Sequence, residues 1–339
     1  MLGLRVEKKN AEKARKLLLE QGCLSEEFST FSDSSFVYFP VCSKEIELPF
    51  KAEFISTKFP KKTRQRGFHE ILAESKKFTK RELALVPRAF DLIGDIALIE
   101  IPPALRKKGR EIADALLKSS KRIKTVLAKA PVRGRFRVRR AEFLGGEEKT
   151  ETVYKEAGCV FKMDLAKVYF SPRLSFERAR IVSLVKDGER ILVPFAGVGS
   201  FPLTIALRKQ VKIVAIELNP HAVRFMHENL RLNRVGEKVL VIEGDAKELM
   251  PKFDGWANRI IMLLPEKGPE FLDAAVKAAA PDGVIHFYAF SEKTQCNRLL
   301  KKIAAACKKN KRSFKVLNQR IVAEYSPKIV EFVIDFGVL

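Results

Sequence analysis

At 339 residues the chain is long enough for two or three domains, and its 46% hydrophobic content can fill a sizeable core. Lys+Arg number 64 against 41 Asp+Glu, a formal charge of +23; a heat-adapted Lys/Glu surface would explain many charges but not this imbalance, so a polyanion, nucleic acid foremost, is the expected partner. No apolar segment is long enough to span a membrane and no signal-peptide pattern opens the chain, which excludes those classes and leaves a cytoplasmic protein as the expectation.

The five cysteines (Cys23, Cys42, Cys159, Cys296, Cys307) include no C-x-x-C pair, so zinc-finger spacing is absent and reduced thiols are expected. The four histidines do not form a metal-ligand pattern; His221 and His227 are six apart on a predicted helix and do not share a face. No metal is expected.

Residues 1–60 read as a small α+β domain. Leu2–Val6 is a short strand, Asn10 can cap a helix running to Glu20 with Ala11, Ala14, Leu17 and Leu18 inward, and Phe36–Val41 is a second strand. Residues 61–67, with Lys61, Lys62, Arg64 and Arg66, read as a basic linker able to touch RNA. Residues 68–165 read as a second α+β domain. Phe90–Ile101 includes a buried strand, Arg110–Lys118 is helical, and Arg133–Arg140 follows. If that last stretch is a strand, period two places Arg133, Arg135, Arg137 and Arg139 on one face, where planar guanidinium forks suit phosphates and guanine edges; a charged edge strand is the alternative.

Residues 166–339 alternate strands and helices. Ile191–Ala206 is a buried strand, a small-residue turn (Ala196-Gly197-Val198-Gly199) and an apolar helix. A second strand, Lys212–Ile216, is closed by Glu217, twenty residues after Gly197, where an acid can accept both hydroxyls of a ribose. The third glycine of a dinucleotide fingerprint is missing, and Phe201-Pro202 would obstruct a pyrophosphate at the helix N-terminus. A cofactor without phosphates, such as S-adenosylmethionine, suits this turn better. Asn219-Pro220 then opens an amphipathic helix, and Val239–Ile242 ends at Gly244-Asp245-Ala246, where Asp245 can accept a hydrogen bond from an adenine amine. Further elements are a strand over Arg259–Leu264, a helix over Gly268–Ala280, a Pro281-Asp282-Gly283 turn, a strand over Gly283–Phe290, a helix from Lys293, and strands near Val316–Tyr325 and Ile329–Phe336. The expected fold is α/β: a class I methyltransferase (Rossmann-like) catalytic domain with two smaller N-terminal α+β domains.

The segment Ala166–Arg178, reading A-K-V-Y-F-S-P-R-L-S-F-E-R, resembles the stretch before the catalytic domain of archaeal and eukaryotic tRNA (guanine-N1)-methyltransferases, which modify guanosine 37 beside the anticodon. Phe195–Gly199, Glu217 with Asn219-Pro220, Asp245-Ala246, Arg259–Met262, Pro87–Ile96 and Glu142–Glu147 match as well. The resemblance covers about residues 85–339 and implies binding of S-adenosylmethionine and of tRNA at the anticodon loop, and for the N-terminal domain recognition of the tRNA outer corner. It implies cofactor contacts at Tyr169, Phe195, Gly197, Gly199, Glu217, Asn219, Asp245, Ala246, Leu263 and Pro265, and RNA contacts at Arg133, Arg135, Arg139 and Arg173. It further implies Glu177 as the base that takes the guanine N1 proton, its proton affinity raised by burial, and Arg137 as the donor to O6. By residue type alone, Glu177 is a helix N-terminal acid that can pair with Arg173, Arg178 or Arg180.

Two positions depart from the family pattern. Val193-Pro194 stands where an acid is usual, and Leu263 where an Asn is expected to orient the guanine. A less polar reading edge is compatible with the archaeal dual-function members that also methylate carbon 7 of imidazoguanosine. The alternatives are the wybutosine-pathway aminocarboxypropyltransferase, of related fold and the same cofactor, and an RNA-binding protein with a decayed catalytic domain. A monomer is the expected state, since nothing demands a dimer.

Overall fold

The computed structural model describes residues 1–339 except 62–65, 134–137, 325 and 327; the side chains of 130–133 and 138–140 are likewise not described. The chain divides into two compact units, Met1–Arg66 and Gly67–Leu339.

In the first unit, β1 (Leu2–Glu7) is followed by α1 (Ala11–Glu20), β2 (Phe31–Ser32), β3 (Phe36–Pro40) and β4 (Glu53–Ser56). β1 pairs antiparallel with both β3 and β4, and β2 lies outside β3. Leu4 and Val6, two apart on the strand, meet Ala14 and Leu18, four apart on the helix; with Phe39 and Val41 they form the core. The expected Asn10 side-chain cap is not made. Lys8–Asn10 is a 3-10 turn, so Asn10 enters the helix at φ −103°, ψ −1° rather than in the extended geometry a capping side chain needs.

The second unit begins with α2 (Phe68–Glu74) and α3 (Lys80–Leu85), followed by β5 (Asp91–Ile93), β6 (Ile96–Ile99), α4 (Gly109–Ser119), β7 (Thr125–Arg133) and β8 (Val138–Gly146). The buried strand expected within Phe90–Ile101 is β6, buried along its whole length; β5 pairs with it in a hairpin that turns at Gly94, φ +61°, where a Cβ would lie 2.1 Å from Thr152 Oγ1. β5, β6, β7 and β8 form a sheet in that order. β7 and β8 are antiparallel, with Arg133 opposite Val138 and Val132 opposite Arg139. Arg133 and Arg139 therefore sit on different strands, which corrects the single strand expected across Arg133–Arg140; Arg135 and Arg137 lie outside the described residues. The hairpin of β9 (Glu151–Glu156) and β10 (Cys159–Asp164) leads into the last part of the unit.

That part consists of α5 (Ser175–Leu184), β11 (Arg190–Pro194), α6 (Ser200–Ala206), β12 (Lys212–Glu217), α7 (Pro220–Leu232), β13 (Val239–Glu243), α8 (Ala246–Leu249), β14 (Ala257–Met262), α9 (Leu272–Ala278), β15 (Ala279–Glu292), α10 (Cys296–Lys309), β16 (Phe314–Glu324) and β17 (Ile329–Val338). The strands form one seven-stranded sheet, ordered β13-β12-β11-β14-β15-β17-β16. β11 to β15 pair in parallel and β17 runs antiparallel to both its neighbours. Strand alternation splits the core between the two faces: Ile191 and Val193 pack with Phe201 and Phe225, while Leu192 packs with Ile260, Val276 and Ile303. The first of these clusters also takes in Ile96, Leu98 and Leu127 from the four-stranded sheet, so the two sheets of this unit share a core.

The helix expected over Gly268–Ala280 is a 3-10 turn, Gly268–Phe271, followed by α9, which ends at Ala278, and β15 begins at Ala279 rather than at Gly283. The expected Pro281-Asp282-Gly283 turn is an irregularity inside β15, with Asp282 at φ +58° where the register against β14 shifts. α10 starts at Cys296 rather than Lys293 because the first strong apolar position of that helix is Cys296 itself, buried with Leu299 and Ile303. Among the described residues, no helix is long and apolar enough to cross a membrane, and no His, Cys, Asp or Glu group could hold a metal ion. All five cysteines are free thiols, four of them buried.

Candidate active site

The sheet order reverses between β11 and β14, and the loops at the carboxyl ends of these strands frame a crevice, the usual ligand position in such sheets. Leaving β11, the chain turns through Phe195 (φ +63°), Gly197 (φ +59°) and Gly199 (φ +84°). The two glycines differ in purpose. A Cβ on Gly197 would meet nothing closer than the Tyr169 carbonyl at 3.9 Å, so its missing side chain leaves open space. A Cβ on Gly199 would come within 2.8 Å of both Leu203 and Met226, so that glycine lets α6 and α7 close and does not line the crevice.

The crevice holds a cavity of about 300 Å³ whose walls include Tyr169, Phe195, Gly197, Glu217, Asn219, Asp245, Ala246 and Leu263. Glu217 is fixed from both sides: its carboxylate accepts the Gly197 N–H at 2.7 Å and the Asn219 N–H at 2.8 Å. Burial pushes its carboxyl above the ordinary value, and these backbone donors oppose that rise. Asn219 accepts the His221 N–H at 3.0 Å and donates to the Lys167 carbonyl at 2.8 Å, tying the start of α7 to the segment that carries Tyr169. Asp245 caps α8 by accepting the Lys247 N–H at 2.9 Å. Phe271 joins Phe195 edge-to-face at 4.8 Å and closes one wall. Sequence reading had not singled out Phe271; its one signal was an aromatic shortly after Leu264-Pro265.

A second cavity of about 330 Å³ adjoins the first. Tyr169, Phe195, Gly197 and Leu263 line both, whereas Pro265 lines only the second. Its far wall carries Asp91, Lys129, Arg173, Phe290 and Glu331. Asp91 accepts from Lys129 and, at 2.8 Å, from Arg173 Nε. Burial raises the Asp91 carboxyl, but the two cations outweigh it and the net shift is downward. Two adjoining cavities that share a wall are an arrangement in which two bound groups can be held side by side for transfer.

Glu177, on the first turn of α5, is 1% exposed and does not line either cavity. Its Oε2 accepts the Tyr288 hydroxyl at 2.7 Å and Arg180 Nε at 3.0 Å, and its Oε1 accepts Arg320 Nη2. Of the arginines the sequence offered as partners, only Arg180 is used. Arg178 is bound instead to Glu156, and Arg173 to Asp91. Arg320, 143 residues from Glu177 in sequence, was not anticipated. Glu177 is therefore a buried carboxylate whose two oxygens are shared among two guanidinium groups and a phenol hydroxyl. Arg180 also binds Asp335 at 2.5 Å, Asp335 accepts His286 Nδ1–H at 2.6 Å, and Arg259 Nη1 donates to His286 Nε2 at 2.7 Å. Of the expected RNA-contacting arginines, Arg173 is placed at the second cavity; Arg135, and Arg137 expected at O6, lie outside the described residues, as do the side chains of Arg133 and Arg139.

The mostly parallel sheet, the acid at the end of β12 and the paired cavities at the strand ends are those of a Rossmann-like methyltransferase fold. Residues 152–317 match the TRM5/TYW2 methyltransferase domain, 68–150 the TYW2 N-terminal domain, and 3–47 the tRNA methyltransferase 5 N-terminal domain. The chain is 34% identical over 340 residues to the tRNA (guanine(37)-N(1))-methyltransferase Trm5b of Pyrococcus abyssi, covering 99% of each. Its fold superposes on the complex of aTrm5 with tRNALeu with a TM-score of 0.71 at 32% identity, covering 99% of each chain. It superposes on Pyrococcus horikoshii TYW2 in complex with MeSAdo with a TM-score of 0.68 at 28% identity, covering 80% of this chain and 98% of that one. The chain belongs to the TRM5/TYW2 family of methyltransferases.

Proposed function

We infer that this protein is the enzyme that methylates N1 of guanosine 37 in tRNA, using S-adenosylmethionine. The observation that carries this reading is the wall of Tyr169, Phe195, Gly197 and Leu263 common to the two cavities, in a chain that matches the P. abyssi Trm5b from end to end. The match to TYW2 spans less of this chain, 80%, and leaves the tRNA methyltransferase 5 N-terminal domain at 3–47 as a feature of the Trm5 side.

The first cavity fits the cofactor on its own chemistry. A half-buried carboxylate held by two backbone amides suits a pair of ribose hydroxyls, and an open glycine edge admits a nucleoside against the backbone. Glu217 would hold the ribose, Asp245 the adenine amine, and Tyr169, Phe195, Gly197, Asn219, Ala246 and Leu263 the remainder. S-adenosylmethionine supplies an electrophilic methyl group. The second cavity would receive the flipped guanine. Glu177 takes the N1 proton and Arg137 stabilises the charge that develops on O6. Arg133, Arg135, Arg139 and Arg173 hold the RNA, with binding that weakens steeply as salt rises. Residues 1–60 form a domain for recognising the tRNA outer corner, 61–67 its linker, 68–165 the domain that brings arginines to the site, and 166–339 the catalytic domain. The protein acts as a cytoplasmic monomer.

Leu263 favours a second substrate. It lines both cavities with a side chain that cannot hydrogen-bond, which suits methylation of C7 of imidazoguanosine in addition to N1. The deciding experiment is mass spectrometry of nucleosides from unmodified and imidazoguanosine-containing tRNA incubated with the protein and S-adenosylmethionine. A methylguanosine product supports N1 transfer, a methylated tricyclic base supports the second substrate, an aminocarboxypropyl mass would overturn both, and no product would leave a binding protein.

A further inference from the structure

Glu177 is overcommitted for a proton acceptor. Its carboxylate accepts from Arg180, Tyr288 and Arg320 and is 1% exposed. Among the described residues, the charged and titratable groups bonded to it are Arg180 from its own helix, Tyr288 from β15 and Arg320 from β16. Behind these stand Asp335 and Glu331 from β17 and His286 from β15. A carboxylate between two guanidinium groups is a weak base, so one of them must leave before proton transfer.

The two arginines are not equivalent. Arg180 is anchored from behind, at 2.5 and 3.3 Å to the two oxygens of Asp335, and its side chain is 12% exposed. Arg320 is 30% exposed, and Glu177 is its one hydrogen-bond acceptor among the described residues. Its Nε is buried with no partner among the described residues. Its guanidinium lies over the ring of Phe176, 4.9 Å from the centroid, and Phe176 is 66% exposed. Further along β16, Ala323 and Glu324 line the acceptor cavity. Arg320 is thus a half-satisfied, partly exposed cation three residues before the β16 positions that line the acceptor cavity, and phosphate oxygens can complete its bonding.

We propose that Arg320 is a latch on the catalytic base: it masks Glu177 in the RNA-free enzyme and is drawn off by the RNA backbone, so that the base is exposed only in the complex. This rests on Glu177 being the base. Arg320 is a positioning residue that acts through Glu177, and its latch would keep a reactive carboxylate neutralised while no acceptor is bound.

The test is single-turnover methylation of an unmodified tRNA transcript from pH 5 to 9, with enzyme saturating and subsaturating, for the wild type and for Arg320→Gln, Arg320→Lys and Glu177→Gln. The subsaturating rate reports groups of the free enzyme and the saturating rate those of the complex. In the wild type, the acid limb of the subsaturating profile should lie below that of the saturating profile by about one pH unit or more, the size of shift a neighbouring guanidinium causes. In Arg320→Gln the subsaturating limb should move up to meet the saturating one, and Arg320→Lys should restore part of the gap. Superimposed limbs in the wild type, or an Arg320→Gln enzyme with both limbs unmoved, would overturn the latch. Equal upward movement of both limbs would also overturn it, since Arg320 would then stay on Glu177 in the complex. Failure of the underlying reading looks different: Glu177→Gln would keep its rate and its acid limb.

Discussion

Arg178 and Glu156 form a two-pronged ion pair, Nε to Oε1 at 2.7 Å and Nη2 to Oε2 at 2.6 Å, with side chains only 1% and 10% exposed. The same guanidinium donates to the Ser171 carbonyl at 3.2 Å and lies 5.3 Å from the centre of the Phe170 ring. It therefore clamps the β9–β10 hairpin to the segment that carries Tyr169 and Arg173. Removing one partner leaves a buried charge unmatched. Glu156→Ala should lower stability by about 3–5 kcal/mol in chemical denaturation, and Arg178→Met, which removes the charge while keeping volume, should cost less than Arg178→Ala. Equal stability of Glu156→Ala and wild type would show that the pair contributes nothing net.

His286 should make folding acid-sensitive above the range where carboxylates titrate. A guanidinium can only donate, so His286 Nε2 is the unprotonated nitrogen and Nδ1–H points to Asp335. Burial lowers the histidine below its ordinary 6.5, and Asp335 offsets only part of that. The unfolded chain therefore binds the proton first: this contribution to stability is fully present above about pH 6.5 and declines as pH falls below it. Asp335 is raised by burial but held well below its ordinary 3.8 by His286 and Arg180, so its contribution is present above 3.8 and lost only below it. Denaturant midpoints from pH 7.5 to 5 should fall for the wild type and stay flatter for His286→Asn. Parallel slopes in the two proteins would count against His286 as the source.

The glycines after β11 should separate by assay. Both have positive φ, where an L side chain costs roughly 1–2 kcal/mol. Gly199→Ala adds a clash with Leu203 and Met226 and should lower the melting temperature more than Gly197→Ala. Gly197→Ala places a methyl at the edge of the cofactor cavity and should lose more affinity for S-adenosylmethionine in titration calorimetry. The reverse ranking in either assay would contradict the assignment.

Glu217→Gln keeps the shape of the side chain and removes its charge. Hydrogen bonds to charged groups contribute about 1.5–3 kcal/mol, so S-adenosylmethionine should bind roughly ten- to a hundredfold more weakly. Affinity for tRNA should change little. Unaltered cofactor affinity would remove Glu217 from the site.

Leu263→Asn should restore a polar group on the wall between the cavities and shift preference toward guanosine. Competition between unmodified and imidazoguanosine-containing tRNA should show the ratio of rates rising several-fold for the unmodified substrate, within the 1–3 kcal/mol that one pocket contact can supply. An unchanged ratio would mean that Leu263 does not read the acceptor.

The sequence by itself determined the elements whose identity depends on near neighbours. The apolar run Ile191–Val193, the glycine turn after it and Glu217 at the end of the next strand mark a nucleoside crevice because alternation and glycine placement are local properties. Tertiary structure alone decided what lies far apart in the chain. The antiparallel insertion of β17 between β15 and β16 brings Asp335 to Arg180 and Arg320 to Glu177, 155 and 143 residues away in sequence. The position of Glu177 near a helix start is legible as an acid with cationic neighbours; which cations it meets depends on sheet order. Likewise Asp282 makes a bulge where a Pro-Asp-Gly triplet reads as a turn, and the hairpin at Gly94 adds β5 beside the buried strand legible in the apolar run. Backbone preference is set within a few residues, whereas a buried charge takes whatever partner the fold delivers to it.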